Sequence, residues 1–181
     1  MKSFLNNSAS RGLRNNNPGN LVRTSIKWQG KIPLSQNPDE RFEQFTHIEW
    51  GIRAFYMDII NDIKKGLTTI EKLVNEYAPP FENNTVAYVN MVAQIMGISK
   101  DTPLTINAET LIALAKAKFT VELGAQYQKL IPASSYEDAW DLLPKEYASL
   151  RQKPRQKFCE NCGHVIVGIF LVILTVWAFK I

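Results

Sequence analysis

Several chemistries are excluded by what this 181-residue chain lacks. It has two histidines, His47 and His164, far apart, so neither a histidine-based triad nor a three-histidine metal site is in view. No serine elbow, Walker loop or dinucleotide fingerprint occurs. Internal repeats and nucleic-acid-binding motifs are absent too, and a net charge of +4 does not by itself argue for a nucleic-acid partner. No apolar h-region follows the start "MKSFLNNSAS", so no cleavable signal peptide is expected. Only two cysteines are present, Cys159 and Cys162 in "CENCGH". With His164 they supply three of the four ligands a closed zinc site needs. A shared metal site, an intermolecular disulfide and plain juxtamembrane thiols stay open, the last preferred. Neither metal nor cofactor is expected.

The C-terminus departs from ordinary globular composition. Fifteen uncharged residues run from Val165 to Phe179, and Cys162–His164 extend the run to eighteen. That reaches the lower end of a membrane span, about 17–25 residues. Trp177, Phe179 and Lys180 resemble interfacial anchors. The segment before it carries Arg151, Lys153, Arg155 and Lys157 with no acid among them, which places the preceding domain on the cytoplasmic side by the positive-inside rule. The expected organisation is a polar N-terminus over 1–10, a globular domain over 11–150, a basic linker over 151–162 and a transmembrane anchor over 163–181.

The globular part reads as mainly α. Residues 11–45 are rich in Asn, Pro, Gly and Gln and predict an irregular region with at most a short hairpin. "THIE" (Thr46, Glu49) and "TTIE" (Thr68, Glu71) predict capping boxes for two helices. The first carries Ile48, Ile52, Phe55, Ile59, Ile60 and Ile63 at helical spacing; the second runs through Tyr77 to Pro79-Pro80. A third helix follows "ENNT", with Val86, Val89, Val92, Ala93 and Met96 inward and Gly97 as its stop. Asn107 predicts the N-cap of a fourth, closed by Gly124, and a short amphipathic piece spans 136–143.

Catalysis, if present, must then use carboxylates. Leu111, Ala115, Lys118 and Glu122 share one face of the fourth helix, with Phe119 and Leu123 flanking Glu122. An acid in a helix's last turn, beside apolar neighbours, meets an adverse dipole and partial desolvation, and both favour the protonated form a general acid needs. A plain surface glutamate at a helix end is the alternative.

"RGLRNNNPGNLVR" (Arg11–Arg23), Trp28, Phe42, Phe45, "EWGIRA", "YAPPFENNTVAYVNMV" and the helix ending "ELG" occur in that order. Together, from about Arg11 to Tyr127, they resemble a family of phage virion-associated peptidoglycan-degrading proteins. The resemblance implies a lysozyme-like or lytic transglycosylase-like fold, with Glu122 as catalytic acid. It departs from the family at Leu123, where a polar residue is usual, and at Val121, where histidine is common. Asn15, Asn16, Asn17 and Asn20 then become candidates for contacts to aminosugars, or for mere caps and turns, with Asn17 and Asn20 expected to be largely structural. Tyr88 could meet a sugar or sit in the core; Trp28 could be a sugar platform or a packed lid; Asn84 lies at the rim of the presumed groove. Glu43 and Glu40 are candidate second carboxylates, although a lytic transglycosylase needs one only.

The implied partners are peptidoglycan, a lipid membrane and other virion proteins, with no nucleic acid. The implied role is glycan cleavage during genome entry. A non-catalytic virion membrane protein with the same fold and a late lysis protein are the alternatives. A cytoplasmic domain cannot reach the wall from inside the cell, but packaging with an internal virion membrane would remove that conflict. All of this requires the asparagine segment and Glu122 to share one groove.

Overall fold

A computed structural model describes residues 1–5, 10–78 and 84–151. The expected anchor over 163–181, the Cys-x-x-C and most of the basic linker lie outside these residues, as do Pro79-Pro80 and Asn83. No helix among the described residues is long and apolar enough to cross a membrane.

The described chain is helical, with eight helices and no strand among them: α1 (Arg11–Arg14), α2 (Ile48–Lys64), α3 (Ile70–Tyr77), α4 (Thr85–Met96), α5 (Ala108–Leu123), α6 (Ala125–Gln128), α7 (Ala133–Asp141) and α8 (Lys145–Ala148). The expected hairpin reduces to two isolated antiparallel bridges, Val22 with Phe42 and Lys31 with Phe45.

The apolar periodicity of α2 does what it predicts. Ile48, Ile52, Phe55, Ile59, Ile60 and Ile63 are all buried, and the helix packs against α5 and α7. Full burial of each such side chain contributes about 1.5–3 kcal/mol relative to exposure. Phe55 meets Phe119 of α5 edge-on at 5.1 Å, and Tyr56 meets Trp140 of α7 at 5.8 Å. Helix α4 ends as expected at Gly97, left-handed at φ 69°, and its N-cap is Asn84, which accepts from the Ala87 N–H at 3.2 Å. Helix α5 also begins and ends where predicted, with Asn107 as N-cap and Gly124 beyond Leu123.

Three details of the sequence reading are corrected. Thr46 and Glu49 form no capping box: α2 starts at Ile48 after His47, which makes no side-chain cap. Glu49 is buried, and its carboxylate accepts from the Lys2 N–H at 3.0 Å and the Ser135 hydroxyl at 2.8 Å. A buried carboxylate needs such donors, so it ties the N-terminal segment and α7 to α2 instead. The cap of α3 is Thr69 rather than Thr68, accepting from the Lys72 N–H, while Glu71 pairs with Lys100. Val86 faces solvent at 72% exposure, because the core side of α4 runs through Val89 and Val92.

The irregular region 11–45 is fixed by polar bonds rather than by apolar burial. Asn16 donates to the Phe45 carbonyl at 2.9 Å and accepts from the Phe4 N–H at 2.8 Å. Asn17 donates to the carbonyls of Glu43 and Leu21, both at 2.9 Å, and accepts from the Leu21 N–H at 3.0 Å. Asn16 and Asn20 hold φ near +50°, a region asparagine tolerates better than most residues. Between them Pro18 and Gly19 make a turn closed by the Asn20 N–H to the Asn17 carbonyl at 3.0 Å. Gly19 lies flat against Phe55 and Phe119, and Gly51 of α2 meets the Asn16 carbonyl with no room for a side chain.

Asp39 braces the far side of this loop. It accepts from Arg11 through two bonds (2.7 and 2.8 Å), from the Asn15 amide at 2.6 Å and from the backbone N–H groups of Arg41 and Phe42. The Arg11 guanidinium, then the Phe42 N–H and the Asn15 amide, hold the carboxyl well below the usual carboxylate range.

Two outcomes follow for stability. Gly51→Ala forces α2 away from the asparagine loop and should cost roughly 1–3 kcal/mol, read as a lower thermal midpoint; an unchanged midpoint would contradict this packing. The stability from Asp39 is fully present above its unfolded value, about pH 4, and is lost as pH falls through its lower folded value. Denaturant titrations between pH 2 and 6 should therefore show a shallower acid loss in Asp39→Asn than in the wild type.

Candidate functional site

The end of α5 and the asparagine loop meet in one place. Glu122, in the last turn of α5, accepts from the Asn20 side-chain amide at 2.7 Å on one carboxyl oxygen. Its other oxygen accepts from the Tyr88 hydroxyl of α4 at 2.5 Å and lies 3.4 Å from the Lys118 ammonium. Lys118, one turn earlier on α5, is 4% exposed, and its nitrogen stands 3.4 Å from the centroid of the Tyr77 ring. Tyr77 and Tyr88 meet edge-on at 5.9 Å. Glu122 keeps 21% of its side-chain surface exposed, so the acid faces solvent while its neighbours are withdrawn from it.

The electrostatics follow from that burial. Loss of water pushes the Tyr88 hydroxyl far above its ordinary value, reinforced by Tyr77 and Glu122, so it remains a donor. Tyr77 is raised for the same first reason, with Glu122 adding to it. Burial lowers the Lys118 amine, while the Glu122 charge opposes that shift. The result is a carboxyl gripped by an amide, a phenol and an ammonium drawn from three segments of the chain.

These groups line a cleft of about 710 Å³, within the usual range for ligand sites. Its walls include Gly19 and Asn20 from the loop, Phe55, Asp58 and Ile59 from α2, and Glu76 and Tyr77 from α3. No group of three or more acids, histidines or cysteines among the described residues could hold a metal ion.

No family model matches the chain. It is 38% identical to "Protein P5" of Pseudoalteromonas phage PM2 over 123 residues, 66% of this chain and 74% of that protein. The chain belongs to the Protein P5 family.

In this member of the Protein P5 family, the residues singled out from the sequence separate into two groups. Glu122, Tyr88 and Asn20 converge in the cleft, and Asn20 is more than the structural residue it was expected to be. Asn15, Asn16 and Asn17 are 3% exposed or less and do not line the cleft. Their side chains are committed to Asp39, Gln44 and the backbone, which corrects the sugar-contact reading of Asn15 and Asn16 and leaves Asn17 structural, as expected. Trp28 is half-buried outside the cleft lining, and Asn84 spends its carbonyl oxygen on capping α4.

Neither proposed second carboxylate is in the cleft. Glu43 is fully buried and bonded to Lys31 at 2.7 Å and to the Thr24 N–H at 2.9 Å. Glu40 is exposed and lines a separate depression with Arg11, Arg14 and Asp39. The acids that do line the main cleft with Glu122 are Asp58 and Glu76, which sequence reasoning missed. Asp58 had a readable signal, a carboxylate interrupting the apolar run of α2; Lys118 had one too, a lysine on the inner face of α5.

The division between the asparagines is measurable. Asn17→Ala leaves the buried Glu43 carbonyl and the Leu21 N–H without partners, at about 1–3 kcal/mol each, while the Leu21 carbonyl keeps the Glu43 N–H, so it should be clearly destabilised in denaturant melts. Asn20→Gly keeps the left-handed backbone and removes only the grip on Glu122. Its melt should stay near that of the wild type, and equal losses in the two variants would contradict the distinction.

Proposed function

We propose that this chain is a phage virion muralytic enzyme with a lysozyme-like or lytic transglycosylase-like domain, cleaving the glycan strand of peptidoglycan during genome entry. The observation that carries the reading is the Asn20–Glu122 bond: the "NNNPGN" segment and the acid 102 residues later meet in a single open cleft. Glu122 is the general acid. It protonates the bridging oxygen of the glycosidic bond, then takes the proton from the sugar's own 6-hydroxyl, which closes a ring at the anomeric carbon. Tyr88 and Asn20 aim its two oxygens, and the Lys118 ammonium balances the charge left once the proton has gone. Water in place of the 6-hydroxyl would make the same site a muramidase.

The segment 163–181 supplies the membrane anchor in this reading, and membrane lipid and other virion proteins are the remaining partners. One observation favours a non-catalytic virion protein that keeps the fold: both oxygens of Glu122 already accept hydrogen bonds within the chain.

Clearing of purified peptidoglycan by the full chain in detergent separates the two readings. The enzyme should clear the suspension, and Glu122→Gln should slow clearing by about 100-fold or more, since a positioned acid typically contributes 10²–10⁴-fold. Mass spectra of the products distinguish 1,6-anhydro ends from reducing ends. Equal behaviour of the wild type and Glu122→Gln would sink the assignment.

A further inference from the structure

Helix α4 turns apolar side chains outward as well as inward. Val89 and Val92 lie beneath it, yet Ala87, Met91 and Ile95 are exposed, and Val86 with them. Ala87, Met91 and Ile95 follow one another at i, i+4 and i+8, so they form a single stripe along the helix. No charge interrupts it: from residue 83 to residue 99 the chain carries no Asp, Glu, Lys or Arg. Helices α2, α3, α5 and α7 each put charge on their exposed sides, with Lys64, Lys72, Lys116 and Asp138. A helix apolar all round belongs in a buried setting, and apolar side chains grouped on an exposed face mark a contact site rather than ordinary surface.

The chain beyond Arg151 says what covers the stripe. The segment 163–181 reads as a membrane anchor, and eleven residues, 152–162, separate it from Arg151. Eleven residues span at most about 40 Å, roughly the width of a domain of this size. A lipid surface is therefore always within reach of α4, whereas any other apolar partner must be met by diffusion. Twelve residues make α4 about 18 Å long, which suits a helix lying along a bilayer surface and not one crossing it.

We propose that α4 is a second membrane contact, its Met91–Ile95 stripe lying in the headgroup–acyl boundary of the bilayer that holds segment 163–181. Tyr88, Met91 and Ile95 stand at i, i+3 and i+7, so the stripe begins at the cleft wall where Tyr88 holds Glu122. Lipid contact along α4 fixes where the cleft opens relative to the bilayer, which attachment at 163–181 alone does not do. The stripe holds no cation, so zwitterionic headgroups are enough and anionic lipid is not required. This inference rests on the anchor reading of 163–181 and does not depend on glycan cleavage by Glu122.

The test uses the full-length chain in phosphatidylcholine vesicles, with Cys159 and Cys162 replaced by serine and one fluorescent label at Met91→Cys, Ile95→Cys or Leu130→Cys. Leu130 is the control, because it is as exposed as Met91, at 47%. A nitroxide lipid labelled near its headgroup should quench the labels at 91 and 95 several-fold more than the label at 130, since an interfacial helix lies about 5–10 Å into that boundary. Adding Met91→Asp should return the label at 95 to the level seen at 130. Equal quenching at all three positions, or none at 91 and 95 in chains that float with the vesicles, overturns lipid docking and leaves the anchor standing. Quenching at 91 and 95 in chains that alkaline carbonate strips from the vesicles supports docking and removes the anchor instead. A label at 91 that neither an aqueous quencher nor the lipid nitroxide reaches indicates a protein on the stripe, and that also overturns lipid docking. Chains that do not float with the vesicles overturn both readings.

Discussion

The side chains of Asn16 and Asn17 hold this structure together at the point where it has least apolar material. Between them they satisfy backbone groups of Phe4, Leu21, Glu43 and Phe45, drawing the N-terminal segment, the turn and the returning loop to one place. Buried backbone groups left without partners are expensive, so these amides do for the loop what apolar faces do for the helices. Everything nearer the cleft follows from that anchorage. With the loop fixed, Gly19 can lie on Phe55 and Phe119, Gly51 can touch the Asn16 carbonyl, and Asn20 is left at the rim with its amide pointing to Glu122.

The site is therefore assembled from two kinds of support. Helices α4 and α5 bring Tyr88, Lys118 and Glu122 together by ordinary packing, with Val89, Val92, Leu111 and Ala115 beneath them. The fourth group, Asn20, arrives from a loop that has little apolar surface of its own. A rigid scaffold on one side and a hydrogen-bonded turn on the other is a common way to present polar groups into an open cleft. The low dielectric around Lys118 and the tyrosines strengthens their hold on the carboxyl, and the opening toward solvent leaves that carboxyl reachable.

The same polarity explains where residue-by-residue reading went astray. Three consecutive asparagines near a suspected sugar groove look like a binding surface, because their amides match sugar hydroxyls. Inside a loop of this composition those amides have a prior claim from the backbone, and only the residue beyond the Pro-Gly turn is free to look outward. Glu49 failed as a capping residue for a related reason. Its carboxylate lies where the Lys2 N–H and the Ser135 hydroxyl need an acceptor, a demand set by residues 47 and 86 positions away.

Local sequence determined the helices of this protein: the apolar periodicity of α2, the asparagine caps of α4 and α5, and the glycines that end them. Those features depend on neighbours within a turn or two, where spacing is enough. It also marked Glu122 as unusual, because an acid between Phe119 and Leu123 conflicts with its own helix face. Only the tertiary structure decided which asparagine reaches that acid, that Lys118 and Tyr88 flank it, and that Asp58 and Glu76 rather than Glu43 and Glu40 share its cleft. Such partners are fixed by where α2, α3, α4 and the loop come to rest against α5. That arrangement is a balance of many long-range contacts, which no spacing along the chain encodes.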